Sequence, residues 1–223
     1  MNVIRQLRPV LPGGASSFPT LAATATTAIG SNTTSHVVNL PAGIANGDLL
    51  LMWFRTGNTT TPHTAPSGWT EFQTNSVTSG RTTLFWRVSD GSDGSTATVT
   101  STNARRSAAI VMRITGQAAS SPIQAGAFSS SYDPDSLTAS GGSAKYLWLA
   151  MCSSRQTIDI TAAPTNFTGL VVASSTTLGG TNVLEVVMAI ASRQFETATQ
   201  DPDAFTAASN NIPMSLCVLI KPL

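Results

Sequence analysis

One succession of strand-like segments occurs twice in this chain, in the same order. The first copy reads GDLLLMWF from Gly47 to Phe54, APSGWTEF from Ala65 to Phe72, TTLFWRVS from Thr82 to Ser89 and AAIVMRI from Ala108 to Ile114. The second reads AKYLWLAM from Ala144 to Met151, APTNFTGL from Ala163 to Leu170, LEVVMAIAS from Leu184 to Ser192 and SLCVLI from Ser215 to Ile220. The offset stays at roughly a hundred residues, too long for a solenoid repeat, which predicts one duplicated half-domain. Each half supplies only about four or five strands, and a lone sheet of that size leaves an apolar face in water. Two halves therefore predict one sandwich.

The segments have strand length and strand chemistry. Val37 to Leu40, Leu49 to Arg55, Thr82 to Val88, Thr96 to Thr100 and Ala108 to Ile114 are β-branched, aromatic or aliphatic, as are Lys145 to Cys152, Gly169 to Ser174, Asn182 to Ser192 and Met214 to Lys221. Clusters such as SGW, SDGSDG and TNARR separate them and read as turns. LLLMWF and YLWLAM are apolar on both parities, which predicts central strands covered on both sides or facing a neighbouring subunit. The expected class is all-β: a single antiparallel β-sandwich, jelly-roll-like, built from duplicated halves at residues 21–118 and 119–223. Leu50, Trp86 and Ile110 should share a core with their approximate counterparts Leu147, Met188 and Leu216.

Residues 1–20 differ from the rest. Pro9, Pro12 and Pro19 with Gly13 and Gly14 forbid a sustained helix and favour an extended N-terminal arm. Its candidate partner-docking residues are Ile4, Leu7, Val10 and Leu11, which can anchor in another protein's groove, and Arg5 and Arg8, which can steer and fix register. No acidic residue occurs before Asp48.

Composition removes several classes of function. Only 10% of the 223 residues are charged and the formal net charge is +1, so no global field draws the chain to nucleic acid or to an anionic membrane. No apolar run is long enough for a signal-peptide core or a membrane span, which predicts a protein made and kept soluble. Cys152 and Cys217 lie within apolar strands, where a free thiol packs as a small hydrophobe, and both are expected reduced and buried.

Catalytic chemistry finds little support. His36 and His63 are the only histidines, and neither sits in a nucleophile or base motif. Glu71, Glu185 and Glu196 are the only glutamates, with no spacing that suggests an acid and base pair. Asp90 and Asp93 in SDGSDG resemble a calcium-loop fragment but lack further carboxylates at the required steps, so a hairpin turn is the simpler reading; no metal or cofactor is expected. Trp53, Trp86 and Trp148 fall inside apolar strands and read as core. Trp69 follows a Pro-x-Gly turn and is a candidate ligand or partner contact, although Phe167 in the equivalent place argues for a repeated structural plug. Arg105 and Arg106 form the only adjacent basic pair, placed by TNARRS at a loop tip where they could meet a partner or a phosphate, although such a pair is usually just a solvated tip.

The succession LPAGIANGDLLLMWF, APSGWTEF, TLFWRVSDGSDG and AAIVMRITG, followed by SSPIQAG and a closing SLCVLIKP, resembles a β-sandwich module of bacterial surface proteins and tailed-phage virion proteins. The likeness spans residues 35–223 and lies in the order of the pieces. Ser121 stands where Asn is common before Pro122, and Phe167 where the first half has Trp69. The resemblance implies a non-enzymatic structural protein of a virion, a head decoration or cement protein docked through its arm. Its expected partners are other virion proteins, the major capsid or a tail protein, and further copies of itself on the particle. A tail-attached fibre or collar protein, or an adhesin for bacterial envelope glycans, is the alternative.

Overall fold

The computed structural model describes residues 17–57, 61–77, 80–156, 159–176, 185–208 and 212–223. The secondary structure of these residues is all-β, without helix. The first half forms β1 (Thr20–Asn39), β2 (Leu49–Gly57), β3 (His63–Thr64), β4 (Thr70–Val77), β5 (Gly80–Val88) and β6 (Thr96–Thr115). The second forms β7 (Ile123–Ala125), β8 (Leu137–Thr138), β9 (Ala144–Arg155), β10 (Ile160–Ala162), β11 (Thr168–Ser174), β12 (Val186–Thr197), β13 (Thr199–Gln200), β14 (Thr206–Ala207) and β15 (Met214–Ile220).

Two large antiparallel sheets result, ordered β1-β6-β2-β5-β4 and β11-β12-β9-β15-β7. The run β6-β2-β5-β4 has the same order as β15-β9-β12-β11, each strand answering its counterpart in the repeat. The chain passes between these sheets once, at 116–122. A jelly roll would alternate between sheets, so that expected connectivity is corrected: every strand of a half finds its neighbours within that half, as short sequential connections favour.

The core lies between the sheets. Leu49, Leu51, Trp53, Ile110 and Met112 of the first meet Leu147, Leu149, Met151, Met188 and Leu216 of the second, all buried. Side chains alternate across a strand, so the intervening residues face outward, and these are buried as well. Leu50, Met52, Phe54, Phe85 and Val111 lie under Val38, Leu40, Val99 and Trp69. On the other sheet Trp148, Ala150, Cys152, Val187 and Cys217 lie under Leu137, Ile160, Phe167 and Phe205. The double-parity apolar strands are thus covered on both sides by their own chain. Leu50 is buried as expected but in an outer cluster: Leu49, not Leu50, is the counterpart of Leu147, and a slip of one residue changes the face. Trp86 is half-buried against the shared core.

The outer layer of the first half comes from bending its longest strands. Residues 20–29 of β1 pair with 107–115 of β6 within the sheet, while 35–39 pair with 96–100 across its outer face, with register shifts between. In the second half shorter strands make the corresponding pairings: β7 on β15, β8 on β13 and β10 on β14.

Trp69 and Phe167 close the two outer layers by the same device. Each backbone N–H donates to the carbonyl three residues back, Pro66 and Pro164, at 3.0 Å, and the preceding Gly68 and Asn166 both hold positive φ, 76° and 66°. Glycine and asparagine tolerate that region best. Trp69→Ala and Phe167→Ala should each cost about 3–5 kcal/mol, whereas Phe72→Ala, on the exposed side of β4, should cost under about 1 kcal/mol. Urea denaturation measures all three.

Candidate functional site

The two ends of the sandwich differ, and the arm belongs to one of them. Ile4, Arg5, Leu7, Arg8, Val10 and Leu11 lie outside the described residues, but the chain that follows them is anchored. Pro19 O accepts from Gln194 Nε2 at 2.9 Å, and Lys145 Nζ lies 6.0 Å from the centre of the Phe18 ring. Gly116 packs against Phe18 and Pro19 with φ 75°. The arm therefore joins the body where β2, β9 and β12 have their Leu49, Ala144 and Thr197 termini. Charges here are matched: Arg113 Nε meets Asp48 Oδ2 at 2.6 Å, and Arg87 meets Asp93 and Asp90 at 3.1 and 3.4 Å. In SDGSDG, Asp90 Oδ1 accepts from the Ser92 N–H at 2.9 Å, an Asx turn, and Asp93 takes the Ser89 hydroxyl, so both carboxylates serve the hairpin and Arg87.

The opposite end collects arginines. Arg55 ends the inward row of β2 and is fully buried, although the LLLMWFR run gave no sign of it. Its Nη1 donates to Ser153 Oγ at 3.0 Å and Thr82 Oγ1 at 3.4 Å, and its Nη2 to the Ile212 carbonyl at 3.3 Å. Ile212 holds φ 53°, a strained setting for a β-branched residue, and so presents that carbonyl. Gly80 lies beneath the guanidinium, where a Cβ would stand 2.9 Å from Nη2. All 11 acidic residues are described, and none forms an ion pair with Arg55. Burial pulls its pKa down to about 9, with Arg155 nearby acting in the same direction, so the group stays charged at neutral pH.

Arg105 and Arg106 belong to the same end, with a correction. TNARRS is not a loop tip but the bend within β6, and both side chains are half-buried. Asparagine and paired arginines signal a turn locally, yet pairing with β1 at Thr33↔Arg105 holds the segment extended. Arg106 Nη1 crosses to Glu185 Oε1 of the other sheet at 2.8 Å. Trp69, the third candidate contact, lines a shallow cleft of about 350 Å³ with Leu40, Pro66, Arg87 and Asp93, but only 7% of it is exposed.

Beside this end, the two histidines lock the bend. Ser101 donates to the Asn103 carbonyl at 2.9 Å, so its oxygen accepts from His36 Nε2–H, while His36 Nδ1 accepts from Ser107. One imidazole thus spans β6 on both sides of its bend. For His63, Thr74 donates to Thr82 O, Thr83 to Thr74, and His63 Nδ1–H to Thr83, which leaves Nε2 to accept from Thr56. Phe54 stands between the rings, edge-on to each at 5.3 and 4.8 Å. Burial holds His36 down to about 4 and His63 to about 3, the latter also through Arg81 and His36.

Cys152 and Cys217 are free and buried on the outer face of the second sheet. Burial pushes the Cys152 thiol well up and Cys217 up to about 12, so both are unreactive thiols at neutral pH.

No family model, curated protein or solved structure matches this chain.

The histidines give the fold a defined acid response. Unfolded imidazoles protonate near 6.5, whereas the folded ones resist to about 4 and about 3. The unfolded state therefore binds more protons between these values, and stability that is full above pH 6.5 falls as pH drops through 4 toward 3. Denaturation midpoints should decline over that window in the intact chain, and the decline should be shallower in His63→Gln. An unchanged slope in a folded His63→Gln protein would remove His63 from the explanation.

Proposed function

We propose that this chain is a non-enzymatic structural protein of a tailed-phage virion, a decoration or cement protein of the head, held on its neighbour by the N-terminal arm. The observation that carries the reading is where the arm leaves a body whose faces are already closed. Outer layers from the chain itself cover both sheets, so among the described residues neither face offers the broad apolar surface that a stable protein contact uses. Attachment then falls to the arm, which joins at the charge-matched end beside Phe18 and Lys145 and leaves the arginine end pointing away. The sequence order resembling virion sandwich modules and the low charge support the same reading.

The absence of catalysis is supported by where the candidate groups go. Both ring nitrogens of each histidine are taken up by hydroxyls that hold the bend. Glu185 is engaged by Arg106.

Burying Ile4, Leu7, Val10 and Leu11 in a neighbour would contribute about 1.5–3 kcal/mol for each large side chain, offset by ordering entropy and raised by repetition over the particle. Deleting residues 2–14 should leave a sandwich with an unchanged urea midpoint that no longer attaches to particles lacking the native protein. Equal attachment by the truncated and full chains, measured by co-sedimentation, would move the contact to the sandwich and sink the arm's role.

A further inference from the structure

The faces of the sandwich are covered, but its sheets still have edges: β1 and β4 in the first, β11 and β7 in the second. An open edge presents unpaired backbone N–H and C=O groups that a further strand can complete, and natural edges are blunted by charge, bulges, short length or cover. Three of these four are blunted. β4 carries Glu71 and a register break between Glu71 and Gln73, and Gln73 Nε2 crosses to the Gly126 carbonyl at 3.1 Å. β7 has only three residues, Ile123–Ala125. β11 is broken between Thr168 and Val171, around Gly169 with φ 67°. β1 has no such device over its central run. After a break between Leu21 and Ala23, residues 23–29 keep unbroken register with Arg113 to Ser107 of β6, and among the described residues no strand pairs with their other edge. The Thr26 carbonyl accepts from the exposed Asn39 side chain at 3.2 Å, a single bond that a strand's N–H can replace.

The chemistry of this edge selects its occupant. β1 and β11 lie on the same side of the sandwich: a Cβ on Gly30 would stand 3.0 Å from the Ser175 carbonyl just beyond β11, and Thr20, Leu21 and Thr168 line one crevice of about 230 Å³. Neither strand holds a charge, since residues 9–47 and the stretch from Ile160 to Ser175 contain no Asp, Glu, Lys or Arg. The edge therefore offers nothing to select a charged partner and nothing to repel a copy of itself. An antiparallel edge is also self-complementary about a twofold axis normal to its sheet. With that axis at Ala25, Thr24 falls opposite Thr26 of the second copy; with the axis at Thr26, Thr26 falls opposite itself and Ala25 opposite Thr27. Either way only alanine and threonine meet across the centre, small enough for a strand spacing of about 4.8 Å, and threonine pairs are favourable across strands.

We propose that β1 is an interface between copies of this chain, in which residues 23–29 pair antiparallel with the same residues of a second copy, so that one sheet runs from β4 of one copy to β4 of the other. The surface does not rest on the virion reading, but it suits a body of which several copies sit side by side. Seven paired residues span about 23 Å, and a two-layer edge is about 20 Å deep, so each copy buries about 450 Å². A standard interface buries about 800 Å² per partner, so the pairing is weak in free solution, with half-association on the order of 100 μM. It strengthens where copies are held close together on one support.

Sedimentation velocity of the full-length chain, over concentrations from about 5 to about 500 μM, reads the association. A monomer–dimer equilibrium is expected. Thr26 is exposed, so Thr26→Lys and Thr26→Glu should each keep the urea midpoint, while each alone weakens dimerisation by about tenfold or more through like charges at the axis. An equimolar mixture of the two variants should associate again. Thr26→Cys should cross-link between copies with a short bismaleimide, because Cys152 and Cys217 are buried, whereas Ser76→Cys on the β4 edge should not; this pair is the test if the charged variants fail to fold. Deleting residues 2–14 should leave the dimerisation constant within about twofold. A chain that stays monomeric throughout, dimerisation indifferent to Thr26→Lys, or no recovery in the mixture would each overturn the proposal. So would loss of the dimer on deletion, which would make the arm of another copy the occupant, or a marked gain, which would make it the chain's own arm.

Discussion

The structure depends on two strands that have no face for water. β2 and β9 place large apolar side chains on both sides, Trp53 against Phe54 and Met151 against Trp148, so each must be covered twice. Packing the sheets together covers one side of each. The other side requires a further layer, and each half builds it from its own flanking segments. In the first half this bends β1 and β6 back over their own sheet, and a bent strand leaves hydroxyls and amides in a dry corner that must be satisfied. His36 and His63 meet that need with hydrogen bonds that only neutral rings can complete, so the covering layer and the acid response have one cause.

The same architecture makes the two ends differ in how their charges are met. Inward rows of β2 and β9 finish in polar residues, and Arg55 joins the sheets through Ser153 much as Trp53 Nε1 does through the Cys152 carbonyl at 3.1 Å. A guanidinium suits that place because its several donors can spread over weak acceptors while its stem packs on apolar neighbours. Removing its charge from water carries a desolvation cost, visible in the lowered pKa, that hydroxyls and a carbonyl only partly offset. At the arm end, by contrast, Arg87 and Arg113 each have a carboxylate within reach.

Much of this was legible in the sequence where one side chain type carries one physical meaning. The double-parity runs gave the layers, and the paired turns before Trp69 and Phe167 gave the plugs. Residues 20–34 escaped notice because TLAATATTAIGSNTT is small and polar, as suits a half-exposed edge strand whose extension comes from pairing with β6. TNARRS carried turn residues but sits where tertiary pairing imposes a bend. Arg55 could not be distinguished from an ordinary strand-end arginine, since its burial is set by Ser153, Thr82 and Ile212, distant in sequence. The histidines were invisible as clamps for the same reason: Ser101 and Ser107 become their partners only after β6 bends.

The central claim is that one shared core joins two sheets into a single cooperative body. Native-state hydrogen exchange on the isolated chain tests it most directly. Amides of Leu51 in β2 and Leu149 in β9, both facing that core, should exchange only through global unfolding and with the same free energy. If either sheet exchanges at a free energy several kcal/mol below the other, on the order of a sub-global opening, the sheets are separately stable units and the account fails.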